Sequence, residues 1–319
     1  MTKDRFFMLL ASLLFLAGLL LLYFGADFLV NGSSRLALSY GIRPLIIGMT
    51  VVAFATSMPE MLVSLVAAMR GSADLAVGNI VGSNVANIGL ILGAAALLCP
   101  MTVAPSVLKR ELPFMIGSSL LLYAFCFDGL ISAGNGLVLL VLLFCFLGYC
   151  LRSARSGQVD RVDTDRVREE RAHRGRDLLL IVAGIIGLGI GAEMMVRSAM
   201  TIARHLGISE LVIGISVVAL GTSLPELAAS LMSAWKGEME LSIGNVIGSN
   251  IFNILFVLGL CPLFSPLAVQ PALLWVELPV MIAFSCGLLL ICLRRRLNRL
   301  HGLLLLVCYA LFIGMVFWR

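Results

Sequence analysis

Nearly the whole chain consists of apolar stretches, each long enough to cross a membrane, separated by short polar connections. A helical span of the hydrocarbon core needs about 20 mostly apolar residues. A soluble fold of 319 residues cannot bury so many of these stretches, because 60% of the residues are apolar and only 13% are charged. Soluble domains have roughly 45–50% apolar and about 25% charged residues. The sequence therefore predicts an all-α polytopic membrane protein.

Ten stretches fit transmembrane helices, and the first of them is too long for a signal peptide. A signal-peptide core has about 7–15 apolar residues and precedes an A-x-A-type site, which does not follow here, so we interpret this stretch as the first span. The ten predicted spans are 6–30, 44–69, 74–98, 112–127, 131–151, 177–200, 209–234, 240–260, 272–292 and 300–318.

One long polar segment, 152–176, interrupts the apolar pattern at the midpoint of the chain. It is rich in Arg, Asp and Glu, as expected of a solvated linker, and it separates two predicted units of five spans, 1–151 and 177–319. Elsewhere the basic residues cluster in short loops, which is typical of membrane-flanking loops rather than of a nucleic-acid surface. The eight cysteines lie mostly within apolar runs. We interpret them as packing residues rather than as disulfide partners or zinc ligands.

The two five-span units repeat each other at a shift of 166 residues. Between the first motif, 51–93, and the second, 217–259, polar as well as apolar identities are preserved, which argues against chance similarity. The matching strings are VVAFATSMPE at 51–60 with VVALGTSLPE at 217–226, and GNIVGSNVANIGLILG at 78–93 with GNVIGSNIFNILFVLG at 244–259.

An odd number of spans per repeat determines the relative orientation of the two units. Five spans return the chain on the opposite side, so the second unit must be inverted relative to the first, as in many secondary transporters. Loops on the side of the linker carry 17 of the 23 Lys and Arg residues. The positive-inside rule therefore places the linker in the cytoplasm and both termini outside it.

Two glutamates, Glu60 and Glu226, lie at equivalent positions inside strongly apolar spans. A carboxylate within the membrane costs about 2.5–3.5 kcal/mol or more on insertion scales, and it normally faces a cavity or an ion. Each glutamate follows a proline, Pro59 or Pro225, which cannot donate a backbone hydrogen bond and therefore disturbs the helix. Because broken helices at membrane depth line cavities and present carbonyl oxygens, both spans are predicted to be ion-binding broken helices.

Further oxygen atoms surround each glutamate at helical spacing, and the next span of each repeat adds a Ser and an Asn one turn apart. Such a cage of hard oxygens with two negative charges suits Ca²⁺, which takes about 6–8 oxygen ligands, better than metals that prefer imidazole or thiolate. The candidate cation ligands are the carbonyl groups of Ala53 and Ala219 and the side chains of Thr56, Ser57, Glu60, Ser83, Asn87, Thr222, Ser223, Glu226, Ser249 and Asn253.

The paired strings ATSMPE/GTSLPE and GNIVGSNVAN/GNVIGSNIFN resemble the two α-repeats of the cation/Ca²⁺ exchanger superfamily, in particular its bacterial and archaeal Na⁺/Ca²⁺ exchanger-like branch. The resemblance covers both repeats and the ten-span layout. It implies a secondary antiporter of a bacterial inner membrane that exchanges Ca²⁺ against Na⁺ by alternating access, with the transported ions as ligands and no cofactor. It also implies that the twelve candidate positions form the ion site, in which Glu60 and Glu226 hold Ca²⁺ and contribute to the Na⁺ sites.

One position departs from this family pattern. Asn253 stands where the family usually has Asp, so the site has two carboxylates instead of three. Two carboxylates balance one Ca²⁺ or two Na⁺, whereas three bound Na⁺ would leave an uncompensated positive charge. The counter-ion and the stoichiometry therefore stay open, and H⁺/Ca²⁺ exchange through protons carried by Glu60 and Glu226 is the alternative.

A membrane-embedded enzyme is the alternative from another class. It would need a catalytic pair within the membrane, such as Ser with His, but His173, His205 and His301 fall in loops or at span ends. A channel is disfavoured, because inverted repeats with broken helices suit alternating access. We therefore expect the partners to be Ca²⁺, Na⁺ or H⁺ and the lipid bilayer, with no nucleic acid.

Overall fold

Long helices account for most of the chain in the computed structural model, which describes residues 3–156, 174–206 and 219–318. Most of the predicted linker 152–176 lies outside the described residues, as do the beginnings of the predicted span 209–234 and of the second motif 217–259. Numbered in chain order, the helices are α1 (Lys3–Tyr40), α2 (Pro44–Thr56), α3 (Met58–Met69), α4 (Ala73–Leu98), α5 (Leu112–Phe125), α6 (Ala133–Ser156), α7 (Arg174–His205), α8 (Ala219–Thr222), α9 (Leu224–Trp235), α10 (Met239–Phe264), α11 (Leu273–Cys292) and α12 (Arg299–Trp318).

The multi-span helical architecture is confirmed by the lengths of these helices. Within the described ranges, seven helices are long and apolar enough to cross a membrane, and the bent pair α2 and α3 would make an eighth span. The helix α5 has only 14 residues and α9 only 12, and the chain just before α8 is not described. The count of ten therefore stays a prediction.

The helices α4 and α10, which carry the GNxxGSN strings of the two repeats, form the centre of the protein. Their apolar windows are 78% and 83% buried inside the protein, compared with 22% for α6 at the periphery. Peripheral helices expose their apolar side chains outward, as expected where lipid is the solvent. Many buried polar groups, among them Asn87 and Asn253, thus lie on the two central helices.

Close helix packing depends on glycines at the contact between α1 and α7. A Cβ atom on Gly25 would lie 2.7 Å from the backbone nitrogen of Leu188, and one on Gly184 would lie 2.6 Å from that of Leu29. Both distances are shorter than a van der Waals contact, so only glycine permits this approach of the two backbones. Small residues at such interfaces let membrane helices pack closely where no hydrophobic effect drives them together.

The helical class predicted from the sequence is confirmed, and the described residues add four strands of two residues each in the connections between helices. These strands are β1 (Met101–Thr102), β2 (Leu130–Ile131), β3 (Leu267–Ala268) and β4 (Arg296–Leu297). The antiparallel pairs are β1 with β4 and β2 with β3. Pairing satisfies backbone groups that the helices cannot reach. At the shift of 166, β1 corresponds to β3 and β2 to β4, so one pairing is the repeat equivalent of the other.

The helix breaks predicted from the two prolines are present in both repeats. Ser57 (φ −81°, ψ 4°) separates α2 from α3, which are bent by 46° relative to each other. Ser223 (φ −86°, ψ 5°) separates α8 from α9 in the same way. Pro59 and Pro225 then fall in the first turn of the new helix, where a missing N–H leaves no hydrogen bond unmade.

Candidate cation site

The two predicted carboxylates lie fully buried, each in the first turn of a helix that starts at a break. Glu60 and Glu226 are 1% and 0% exposed, in α3 and α9 respectively. The positive end of a helix dipole favours a carboxylate at this position. The breaks therefore place both acidic groups where the local backbone stabilises their negative charge.

Each carboxylate is bound by the serine at the break of the other repeat. The Ser57 hydroxyl donates to Glu226 Oε1 at 3.1 Å, and the Ser223 hydroxyl donates to Glu60 Oε1 at 3.1 Å. The preceding threonines, Thr56 and Thr222, are also buried, and the Thr56 hydroxyl lies 3.2 Å from Asn245 Oδ1 of the other repeat. The two broken helices thus contribute to a single site rather than to two separate ones.

Five buried oxygen atoms in this region have no hydrogen-bond partner within the described residues. They belong to five of the candidate ligands, namely Glu60 (Oε2), Glu226 (Oε2), Asn87 (Oδ1), Asn253 (Oδ1) and Ser249 (Oγ). Native proteins seldom leave buried acceptors unpaired, because desolvation without a partner is unfavourable. Carboxylate, amide and hydroxyl oxygens are the ligands that hard ions take, so the donor set fits an ion such as Ca²⁺ or Na⁺.

The other predicted ligands differ in how directly they approach this group. Ser83 lies 3.5 Å from the Ser223 hydroxyl and so joins the group through it. The Ala53 carbonyl accepts the backbone N–H of Ser57 at 3.0 Å, and the Thr56 hydroxyl lies 3.4 Å from the same oxygen. The backbone of Ala219 begins α8, and its side chain lies outside the described residues.

The part of the chain that the structure describes contains no group of three or more His, Cys, Asp and Glu side chains that could hold a metal. Among the described residues, the carboxylates at this site are those of Glu60 and Glu226, and Asn253 contributes a neutral amide. The charge of the site in its ionised form is therefore −2, which equals the charge of one Ca²⁺ or two Na⁺.

Sequence reasoning missed two pairs of asparagines that support the site. Asn79 donates to the Glu60 carbonyl at 3.4 Å and to the Ser64 hydroxyl at 3.0 Å. Its repeat equivalent Asn245 contacts the Glu226 carbonyl at 3.4 Å and the Ser230 hydroxyl at 2.9 Å. The other pair is Asn84 and Asn250 on the central helices. All four asparagines belong to the repeated GNxxGSN strings, so the repetition of these strings could have identified them from the sequence.

A cavity of about 380 Å³ adjoins the breaks. Its walls come from α7 and from the residues around the two prolines, and the side chain of Glu193 contributes to them. Glu193 is paired with Arg197 on its own helix, and the pair is largely exposed. The cavity places open space beside Thr222, next to the serine that holds Glu60.

Comparison with known proteins finds relatives that match the chain over most of its length. The model of the family described as sodium/calcium exchanger protein matches residues 10–152 and 177–318. The inner membrane protein YrbG of Escherichia coli is 42% identical over 320 residues, covering 98% of each chain. The sodium/calcium exchanger MaX1 of Methanosarcina acetivorans is 34% identical over 343 residues, covering 96% of this chain and 98% of its own. The solved structure of the sodium-calcium exchanger NCX_Mj superposes with a TM-score of 0.85 at 34% identity, covering 96% of this chain and 99% of that one.

Proposed function

This chain belongs to the sodium/calcium exchanger family, and we propose that it is a secondary antiporter that exchanges Ca²⁺ against Na⁺ by alternating access. The observation that carries this proposal is the single buried site in which Glu60 and Glu226 are held by serines of the opposite repeat. Each glutamate keeps one oxygen, Oε2, without a hydrogen-bond donor among the described residues. The proposed ligands are the twelve positions named above, with Ca²⁺ and Na⁺ as substrates and no cofactor.

The charge of the site provides a physical basis for obligatory exchange. Two buried carboxylates close to each other are unfavourable without a counter-charge, because desolvation and mutual repulsion add. One Ca²⁺ or two Na⁺ would neutralise them. The transition between the states open to opposite sides of the membrane is therefore slow when the site holds no ion. Uptake of one ion species thus becomes coupled to release of the other.

Two observations support ten spans arranged as inverted repeats. The pairings of β1 with β4 and of β2 with β3 require each pair to lie on one side of the membrane. In the ten-span layout, six predicted spans separate the first pair and four separate the second, and both numbers are even. The reciprocal bonds between each serine and the glutamate of the other repeat are what a two-fold relation between the units predicts. With the positive-inside rule, this layout places the linker in the cytoplasm and both termini outside, in a bacterial inner membrane.

Exchange of Ca²⁺ against H⁺ is the second candidate function. The charge of −2 is equally compatible with it, since two protons balance the site as two Na⁺ do. The same glutamates would then carry the protons.

The experiment that separates these functions measures uptake of radioactive Ca²⁺ into proteoliposomes of the purified protein. We expect an outward Na⁺ gradient to drive uptake, without a requirement for K⁺ and without uptake driven by a pH gradient alone. Uptake driven only by the pH gradient would favour H⁺/Ca²⁺ exchange. Absence of Ca²⁺ uptake under every gradient would contradict both functions.

The glutamate assignment gives the first specific prediction. Glu60→Gln and Glu226→Gln should each abolish Ca²⁺ exchange and still insert in the membrane, because an amide has nearly the same shape but cannot neutralise the ion. Glu240→Gln is the control, since Glu240 pairs with Arg43 at 2.6 Å and lies apart from the site residues. Near-normal exchange in either site variant would show that the site is assigned to the wrong residues.

A further inference from the structure

Four asparagines form one hydrogen-bonded cluster where α4 and α10 cross. Asn253 donates its amide nitrogen to Asn84 Oδ1 at 3.0 Å, and Asn87 donates to Asn250 Oδ1 at 3.1 Å. At the shift of 166 these two bonds are equivalent, and all four side chains are buried. The amide nitrogens of Asn87 and Asn253 are thus engaged, and their oxygens are the unpartnered ones at the candidate site.

The orientation of the first pair is determined by a backbone carbonyl. Asn84 donates its amide nitrogen to the carbonyl oxygen of Asn250 at 3.4 Å. A carbonyl oxygen can only accept, so the nitrogen of Asn84 must face it and the Oδ1 atom must face Asn253. Asn253 in turn must present its nitrogen to that oxygen. Its own oxygen is thereby directed away from Asn84.

The second pair is held by a weaker acceptor. Asn250 donates its amide nitrogen to the sulfur of Met115 at 3.6 Å, which leaves its Oδ1 atom to accept from Asn87. The repeat equivalent of Met115 is Met281, whose sulfur lies 3.7 Å from the Asn84 nitrogen beside the Asn250 carbonyl. A thioether is a weak acceptor compared with a carbonyl. One half of the cluster therefore depends on a methionine, and the other half does not.

We propose that Asn84 and Asn250 are positioning residues that direct the amide oxygens of Asn253 and Asn87, rather than their NH₂ groups, into the cation site. This inference rests on the proposed function. An amide oxygen carries a partial negative charge and binds a cation, whereas an NH₂ group in the same place repels it. A short π-helical turn begins at each of the two directed residues, Asn87 and Asn253, and such turns occur frequently at functional sites.

The pattern of bonds favours this role over helix packing alone. Amides that serve only helix packing would satisfy their oxygens as well as their nitrogens, because an unpaired buried acceptor is unfavourable. Here both unpaired atoms are oxygens, and both belong to the predicted ligands. The second pair of asparagines thus determines which end of the ligand amides the ion meets.

The test compares Asn84→Leu, Asn250→Leu, Met115→Leu and Met281→Leu with the wild type. Binding of Ca²⁺ and of Na⁺ to the purified protein is measured by calorimetry, alongside Ca²⁺ uptake and ion-free thermal unfolding. Loss of either asparagine should weaken Ca²⁺ binding about tenfold or more, because a ligand amide is released to turn its NH₂ group toward the ion. Met115→Leu should weaken binding by about threefold, since its sulfur is a weak acceptor, and Met281→Leu should leave binding unchanged because the Asn250 carbonyl still holds Asn84.

The methionine pair keeps the inference testable if the asparagine variants fail to fold. The two methionines are repeat equivalents, and neither is among the proposed ligands, so equal effects of the two substitutions would overturn the assignment. Unchanged Ca²⁺ binding in folded Asn84→Leu and Asn250→Leu would overturn it as well. A wild type that binds no Ca²⁺ would overturn the proposed function and this inference with it, which distinguishes the two failures.

Discussion

At the scale of single residues, the site is built from crossed hydrogen bonds between the repeats. Ser57 and Glu60 are one helical turn apart in sequence, yet the hydroxyl of Ser57 binds Glu226. The break at Ser57 ends α2 and starts α3 in a new direction. The serine therefore points across the interface while the glutamate of its own repeat is held by Ser223.

The serines give a prediction at this scale. Ser57→Ala and Ser223→Ala should each lower the affinity for Ca²⁺ by about tenfold, because a hydrogen bond to a charged group contributes roughly 1.5–3 kcal/mol and positions the carboxylate. Ion titrations of Ca²⁺ uptake would measure the effect. Ser119→Ala is the matched control, since this buried serine donates only to the Met115 carbonyl of its own helix at 3.0 Å. An equal loss in the control variant would show that the effect is not specific to the site.

At the scale of helices, two kinds of element meet around the site. The segments α2–α3 and α8–α9 are each broken at a serine. The helix ends at these breaks place oxygen atoms and helix dipoles at the candidate site. The pair α1 and α7 is continuous and packs through glycines along its length. Within this pair, α7 forms one wall of the cavity next to the site.

Glycine packing on α7 predicts how the protein responds to a larger side chain at this contact. Gly184→Ala should lower the thermal unfolding temperature and the exchange rate, because its Cβ atom would lie 2.6 Å from the Leu29 backbone nitrogen and push α1 away. Gly189→Ala is the control on the same helix, where no described atom lies within 4 Å of the added Cβ atom. Alanine is the better helix former by about 0.8–1.0 kcal/mol, so this control should be neutral or slightly stabilising. Equal destabilisation by both changes would contradict the packing argument.

At the scale of the whole molecule, an ion pair at the surface distinguishes the two repeats. Asp27 on α1 forms an ion pair with Lys236, in the turn between α9 and α10, and both side chains are partly buried. At the shift of 166, the equivalents of these residues are Glu193 and Arg70. Glu193 pairs instead with Arg197, one turn along its own helix. The acidic residue of the first repeat thus forms an ion pair between two elements, whereas its equivalent in the second repeat forms one within a single helix.

Alternating access makes this asymmetry testable. We expect this ion pair to form in only one of the two states of the proposed alternating access, so Lys236→Gln should change the exchange rate by about two- to fivefold, as expected for a contribution near 0.5–1 kcal/mol. The combined change Asp27→Lys and Lys236→Asp should restore the rate. Arg197→Gln is the control, since it removes an exposed pair within one helix. Failure of the exchanged pair to restore the rate would exclude an electrostatic role.

Topology gives the last prediction at this scale. Reporter tags at both termini should read as extracytoplasmic, and a tag in the linker near Gly157 should read as cytoplasmic. This outcome follows from two units of five spans each. Termini on opposite sides of the membrane would mean an odd number of spans in total, and the inverted repeat would then be wrong.

The sequence by itself determined the membrane class, the two repeats and the pair of glutamates at the candidate site. Apolar runs long enough to span a membrane can be solvated only by a lipid bilayer. A carboxylate such as Glu60 within one of these runs must face a cavity or an ion. The prolines likewise indicated the broken helices. Each of these properties depends on residue type and on spacing along the chain, which the sequence records directly.

Only the tertiary structure decided which atoms meet across the repeats. Helical spacing grouped Ser57 with Glu60, whereas the fold pairs it with Glu226, because the break redirects the helix. The two-residue strands are too short for any alternating pattern to reveal them. The orientation of the Asn253 amide depends on a carbonyl oxygen of another helix, and such a contact exists only after the two central helices have packed.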